Sequence, residues 1–206
     1  MAASMEGRVA VLVSGSGTNL QALLDDPAVA PRIVLVLSDR PGVRALERAA
    51  EHGIATAVVA PDGFADRPAY TLAVRERLLA DGVDLVVLAG FMRILAPAFF
   101  EAFPDRVVNV HPALLPAFPG AHGVADALAW GSKVTGVTVH LVDEQVDHGP
   151  IVFQEAVAIR DDDDRDSLET RIHDAEHRLL PRAVRAMLEE RLVIDGRRVR
   201  VREEEP

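Results

Sequence analysis

Apolar residues in this chain fall into short unbroken runs. Arg8 to Val13 (RVAVLV), Ile33 to Ser38 (IVLVLS), Ala55 to Val59 and Val83 to Leu88 (VDLVVL) are four of them. A strand covered on both faces of a parallel sheet reads this way. Between the runs lie helical patterns at Leu20 to Leu24, at Val43 to His52 closed by Gly53, and at Ala69 to Ala80. Pro97 opens a short helix through Ala102, and Gly123 to Trp130 predicts another. After Val134 the pattern changes. Val134 to Val142 alternates and Ile151 to Ile159 returns, which predicts a long antiparallel hairpin tipped by the acidic turn Asp143 to Pro150. Asp166 to Glu190 predicts a long helix, kinked or broken at Pro181. Asp195-Gly196 signals a closing hairpin within Leu192 to Val201. The whole predicts an α/β fold: a Rossmann-like three-layer αβα sandwich, mostly parallel, with a C-terminal antiparallel portion.

Composition narrows the picture. With 206 residues, 49% hydrophobic, the chain is expected to form a single domain. Only 4% of residues are aromatic, so the core must be aliphatic. A net charge of −10 argues against sequence-independent nucleic-acid binding, which needs a basic surface. There is no cysteine, hence no thiolate nucleophile and no zinc–thiolate site. Met1 to Gly7 lacks the apolar core of a signal peptide, and no apolar run approaches the ~20 residues of a membrane helix. A cytoplasmic soluble protein is the expectation.

Candidate chemistry gathers at predicted strand ends, where open α/β sheets bind ligands. Val107 to Gly120 (VVNVHPALLPAFPG) is the densest stretch. Asn109 and His111 are two apart at the end of a short strand, so their side chains share a face. Pro112, Pro116 and Pro119 then stiffen the loop. An amide can donate to a developing oxyanion, and an imidazole can donate to it or move a proton. SGSGTN, at Ser14 to Asn19, joins the first strand to a helix, an arrangement that turns backbone N–H groups toward an anion. It is neither G-x-G-x-x-G nor a Walker loop, which favours one phosphate over a dinucleotide. AGFMRIL, at Ala89 to Leu95, follows the fourth strand and offers apolar side chains for a flat ligand. The four carboxylates Asp161 to Asp164 read as a solvated loop without calcium-ligand spacing. His173 and His177 are one helical turn apart, but HExxH fails and no third zinc ligand is evident.

Taken together, SGSGTNLQALL, VVLAGFMRIL, NVHPALLPAFPG and GVTVHLVDEQVDHGPIV resemble the phosphoribosylglycinamide formyltransferase family, from Val9 to about Pro181. The resemblance implies transfer of a formyl group from 10-formyltetrahydrofolate to the amine of glycinamide ribonucleotide, with no metal. It implies a catalytic trio of Asn109, His111 and Asp147. Gly17, Thr18 and Asn19 would hold the ribonucleotide phosphate, and Glu176 and His173 would contact the ribonucleotide. Arg67, Met92, Arg93, Ile94, Leu95, Asn109 and the segment Asp143, Glu144, Gln145, Val146, Asp147 would line the folate site. A ribonucleotide-phosphate half at about 8–100, a catalytic and folate half at about 101–190 and a hairpin with an acidic tail at 191–206 would make one formyltransferase domain. Many relatives have lysine where Ala117 stands and glycine where His148 stands. The first departure removes a positive charge beside the ribonucleotide; the second can stiffen the acidic turn.

Two related folate enzymes share the Asn-x-His pair. Methionyl-tRNA formyltransferase usually carries a further tRNA-binding domain, and formyltetrahydrofolate hydrolase a further regulatory one; this sequence shows neither. Small-molecule substrates are expected, not nucleic acid or membrane. Monomer and homodimer stay open.

Overall fold

The structure, a computed structural model, describes residues 7–203. The chain divides into two compact units, residues 1–108 and 109–206.

In the first unit, β1 (Val9–Val13), α1 (Thr18–Leu24), β2 (Ile33–Ser38), α2 (Arg44–Glu51), β3 (Ala55–Val58), α3 (Arg67–Ala80), β4 (Leu85–Leu88) and α4 (Pro97–Ala102) follow in order. The strands lie β3-β2-β1-β4, and every pairing among them is parallel. All five residues of β1 are buried, as its unbroken apolar run requires. Arg67 is the first residue of α3, not part of the loop before it. Asp66 caps that helix, its carboxylate accepting the Ala69 N–H, and Pro68 suits the first turn.

β5 (Val107–His111) carries the chain from the first unit into the second. There follow α5 (Gly123–Trp130), β6 (Val134–Leu141), β7 (Ile151–Ala158), α6 (Arg165–Leu188), β8 (Leu192–Asp195) and β9 (Arg198–Val201). β6 and β7 form the expected antiparallel hairpin, β9 runs parallel to β7, and β8 closes antiparallel on β9. A bulge interrupts β6–β7: Val139 faces Phe153 but His140 faces Ile151, leaving Val152 over. The final turn is Gly196-Arg197, one residue later than Asp-Gly suggested, because Asp195 still pairs with Arg198.

α6 packs on β6 and β7. It begins with a reciprocal cap between Asp164 and Ser167. It is continuous through Pro181, so of the expected kink or break the break does not occur. Leu179, Leu180, Ala183 and Val184 around the proline are all buried. Burying such side chains is worth ~1.5–3 kcal/mol for each large one, enough to offset the ~3 kcal/mol cost of an interior proline.

Candidate active site

The end of β5 and the loop after β6 bring four polar side chains together in the second unit. His111 and His140 are buried, and the Asp147 side chain is nearly so. His111 Nε2 donates to the carbonyl of Phe118 at 2.8 Å, and its Nδ1 lies 3.3 Å from Asp147 Oδ2. The same Oδ2 accepts the Gly120 N–H at 2.7 Å. His140 Nδ1 donates to the Leu141 carbonyl at 2.9 Å, so in the neutral ring Nε2 is an acceptor. That nitrogen meets the Asn109 amide nitrogen at 3.2 Å and Asp147 Oδ1 at 3.6 Å. The expected trio of Asn109, His111 and Asp147 is therefore assembled, and His140 stands between two of its members.

Burial by itself would raise the Asp147 pKa. The neighbouring His140 ring, the Gly120 N–H and His111 outweigh it and hold the carboxyl below its usual value. Asp147 is thus ionised and accepts only. Its backbone has φ 51°, and that of Phe118 φ 52°. Left-handed backbone outside glycine costs on the order of 1–3 kcal/mol. Both residues that adopt it here face His111, one by its carbonyl and one by its carboxylate.

The proline-rich loop is anchored on one hydroxyl. Thr138 Oγ1, fully buried on β6, donates to the Ala113 carbonyl at 2.7 Å and accepts the Leu115 N–H at 3.0 Å. Gln154 on β7 donates to Thr138 Oγ1 at 2.9 Å and to the Leu115 carbonyl at 2.8 Å. Gly136 leaves room for the loop: a Cβ there would come 2.7 Å from the Leu114 side chain and 2.1 Å from the Glu155 carbonyl oxygen. Thr138, His140 and Gln154 were not among the residues expected from the sequence. The available signal was two polar residues, Thr138 and His140, at i and i+2 in the otherwise apolar stretch from Val137 to Leu141.

The acidic loop after β6 is braced from within. Asp143 Oδ1 accepts the Gln145 N–H, and Asp143 Oδ2 accepts from His148 Nδ1 at 2.7 Å. Arg197 of the last turn donates to the His148 carbonyl at 2.6 Å and to His148 Nε2 at 3.2 Å. Glu144, Gln145 and Val146 are exposed. On α6, Glu176 is buried and His173 half-buried, its ring stacked on that of His177.

The first unit holds the remaining candidates. Gly17 precedes α1 with φ 73°, and a Cβ there would lie 2.7 Å from that of Ala45. Thr18 and Asn19 open the helix. Arg48 of α2 holds the turn, donating to the Ser16 carbonyl at 3.0 Å and to Gln21 at 2.7 Å. Met92 and Ile94 are exposed, whereas Leu95 is buried. Arg93 is paired with the buried Asp39 at 2.6 Å, and the Met92 N–H donates to Ser14 Oγ at 2.9 Å. Arg67 is exposed.

Residues 7–184 match the family model described as formyl transferase. A phosphoribosylglycinamide formyltransferase of Mycobacterium tuberculosis (strain H37Rv) is 47% identical over 94% of this chain and 91% of its own length. The trifunctional purine biosynthetic protein adenosine-3 of Drosophila melanogaster is 50% identical over 88% of this chain, which spans only 14% of that protein. Among solved structures, glycinamide ribonucleotide transformylase 1 from Symbiobacterium toebii superposes with a TM-score of 0.93 at 46% identity, covering 97% of this chain and 96% of the other.

Proposed function

The chain belongs to the phosphoribosylglycinamide formyltransferase family, a group within the formyl transferases, and we propose that it moves a formyl group from 10-formyltetrahydrofolate to the amine of glycinamide ribonucleotide. One observation carries the reading. Asn109, His140, Asp147 and His111 form a chain of polar contacts, at 3.2, 3.6 and 3.3 Å in turn, that joins an amide, two imidazoles and an ionised carboxylate.

The substrate amine attacks the formyl carbon, and charge develops on the formyl oxygen. Asn109 has two amide hydrogens, and His140 engages one of them; the other donates to that oxygen. With Nε2 donating to the Phe118 carbonyl, His111 Nδ1 carries a hydrogen only in the imidazolium; in that form the N–H, 3.3 Å from Asp147, donates to the oxyanion as it forms. The proton released by the amine passes to Asp147 through water. The bond from the formyl carbon to the folate nitrogen then breaks, and that nitrogen takes up a proton. No covalent enzyme intermediate is required.

In this reading Gly17, Thr18 and Asn19 hold the ribonucleotide phosphate, with Glu176 and His173 on its glycinamide ribose portion. Arg67, Met92 to Leu95 and Asp143 to Asp147 take the folate. Arg93 acts through its backbone, since Asp39 holds its guanidinium. Leu95 supports the segment from the core.

The test is turnover of glycinamide ribonucleotide with 10-formyltetrahydrofolate or a deaza analogue, with no added metal. Formylation of charged initiator tRNA, or formate release without an acceptor, would replace the proposal with a related folate enzyme. Thr18→Asp should weaken ribonucleotide binding far more than folate binding; equal losses would contradict the phosphate assignment.

A further inference from the structure

The second unit contains a cavity of about 380 Å³ lined by Phe153, Arg182, Arg185, Arg191, Val201, Arg202 and Glu203. None of these residues belongs to the cluster around His111. The volume lies within the ~300–1,000 Å³ typical of small-molecule sites. Four arginines line this space on a chain whose net charge is −10.

Two of the arginines have visible structural work. Arg191 bonds Glu189 and donates to the Arg202 carbonyl at 3.0 Å, tying the start of β8 to the end of β9. Arg185 also interacts elsewhere. The other two differ. Arg182 has its guanidinium carbon 4.2 Å from the centre of the Phe153 ring, a cation–π contact. Neither Arg182 nor Arg202 is paired with a carboxylate among the described residues. Four arginines outnumber the one carboxylate in the lining, Glu203, and an excess of like charge along a concave wall raises the local potential. Planar guanidinium forks match phosphate oxygens two at a time.

We propose that this cavity is a second anion site, separate from the formyl-transfer residues, and that it takes a small diphosphate-class anion. Arg182 and Arg202 supply the two charges that such an anion neutralises. Arg185 and Arg191 hold the positive floor, and Glu203 is the local carboxylate that opposes binding.

Inorganic pyrophosphate is the probe, titrated calorimetrically at low salt into the whole protein. Arg182→Gln with Arg202→Gln should weaken one binding event by about tenfold or more. Turnover of glycinamide ribonucleotide should stay unchanged, because neither residue touches the proposed substrates. Glu203→Gln should tighten the same event, and added salt should weaken it. The glutamine at position 182 keeps enough stem to cover Phe153, and a thermal melt checks that the fold survives. Should the double variant unfold, the Glu203→Gln titration decides alone. Pyrophosphate binding that is identical in wild type, double variant and Glu203→Gln overturns the site. So does binding that Thr18→Asp abolishes entirely, since the only anion site would then be the turn before α1.

Discussion

His140 is held at both ring nitrogens, by the Leu141 carbonyl on one side and the Asn109 amide on the other. A fixed ring fixes the amide, and the amide must point one hydrogen at a developing charge. His140→Leu removes the acceptor while keeping the volume roughly apolar. Its kcat should fall about tenfold to a hundredfold, the scale of a 1 Å misplacement, with little change in folate KM. Asn109→Ala removes the donor itself and should cost about 10² to 10³ in kcat. Single-turnover rates separate the two from effects on product release; a wild-type rate in His140→Leu would show that the amide needs no support. Asn109 and His111 stood out in the sequence as an amide and an imidazole sharing one face at the end of an apolar run, whereas Asp147 entered the trio through the family resemblance. His140 was not legible, because what a strand residue faces depends on register, and here a bulge at Val152 sets it. Arg93 shows the converse. Its place in AGFMRIL was legible, but its partner Asp39 lies 54 residues away, and nothing local announces the pair.

The β6–β7 hairpin anchors the proline-rich loop through Thr138 and Gln154. Thr138 bonds Ala113, Leu115 and Gln154 at once, so Thr138→Val removes that partner from the Ala113 carbonyl and the Leu115 N–H in the interior and leaves the Gln154 amide only the Leu115 carbonyl. The expected loss is about 2–4 kcal/mol in urea unfolding, from several unmade buried bonds at roughly 1–3 kcal/mol each and partial relaxation. A loss under about 0.5 kcal/mol, the ordinary surface range, would mean that the loop stands alone. Gly149 is a second constraint: a Cβ there would meet the Leu141 carbonyl oxygen at 1.8 Å, so Gly149→Ala must displace the acidic loop. The brace from Arg197 through His148 to Asp143 predicts that His148→Gly speeds amide exchange across residues 143–149. Unchanged exchange would show that His148 merely decorates the loop. The strands and helices themselves were readable from their apolar period. α6 was the exception, since a proline signals a break locally while buried neighbours decide globally.

At the scale of the whole molecule, the buried carboxylates Asp39 and Asp147 contribute to the response to acid, together with Asp163, which Arg171 holds below the usual carboxylate range. Burial would raise the pKa of Asp39, but Arg40, Arg93 and Ser14 outweigh it and lower it; Asp147 is lowered in the same way by His140, Gly120 and His111. The native protein therefore resists protonation at both positions, while the unfolded chain binds protons at ordinary carboxylate values near about 3.9. Stability from these groups is fully present above that value and is lost as pH falls through the depressed native pKa values. Urea midpoints should thus be flat from neutral pH down to about 5 and drop steeply below about 4. Asp161 is also lowered, by Lys133, but that pair is almost fully exposed, so its effect is screened. Asp161→Asn should leave the acid slope unchanged, whereas Asp39→Asn and Asp147→Asn should each flatten it while lowering the neutral-pH midpoint. Salt near 1 M, where screening acts over about 3 Å, distinguishes the buried from the exposed origin. A slope that salt abolishes would move the acid sensitivity to the surface charge of the chain and away from Asp39 and Asp147.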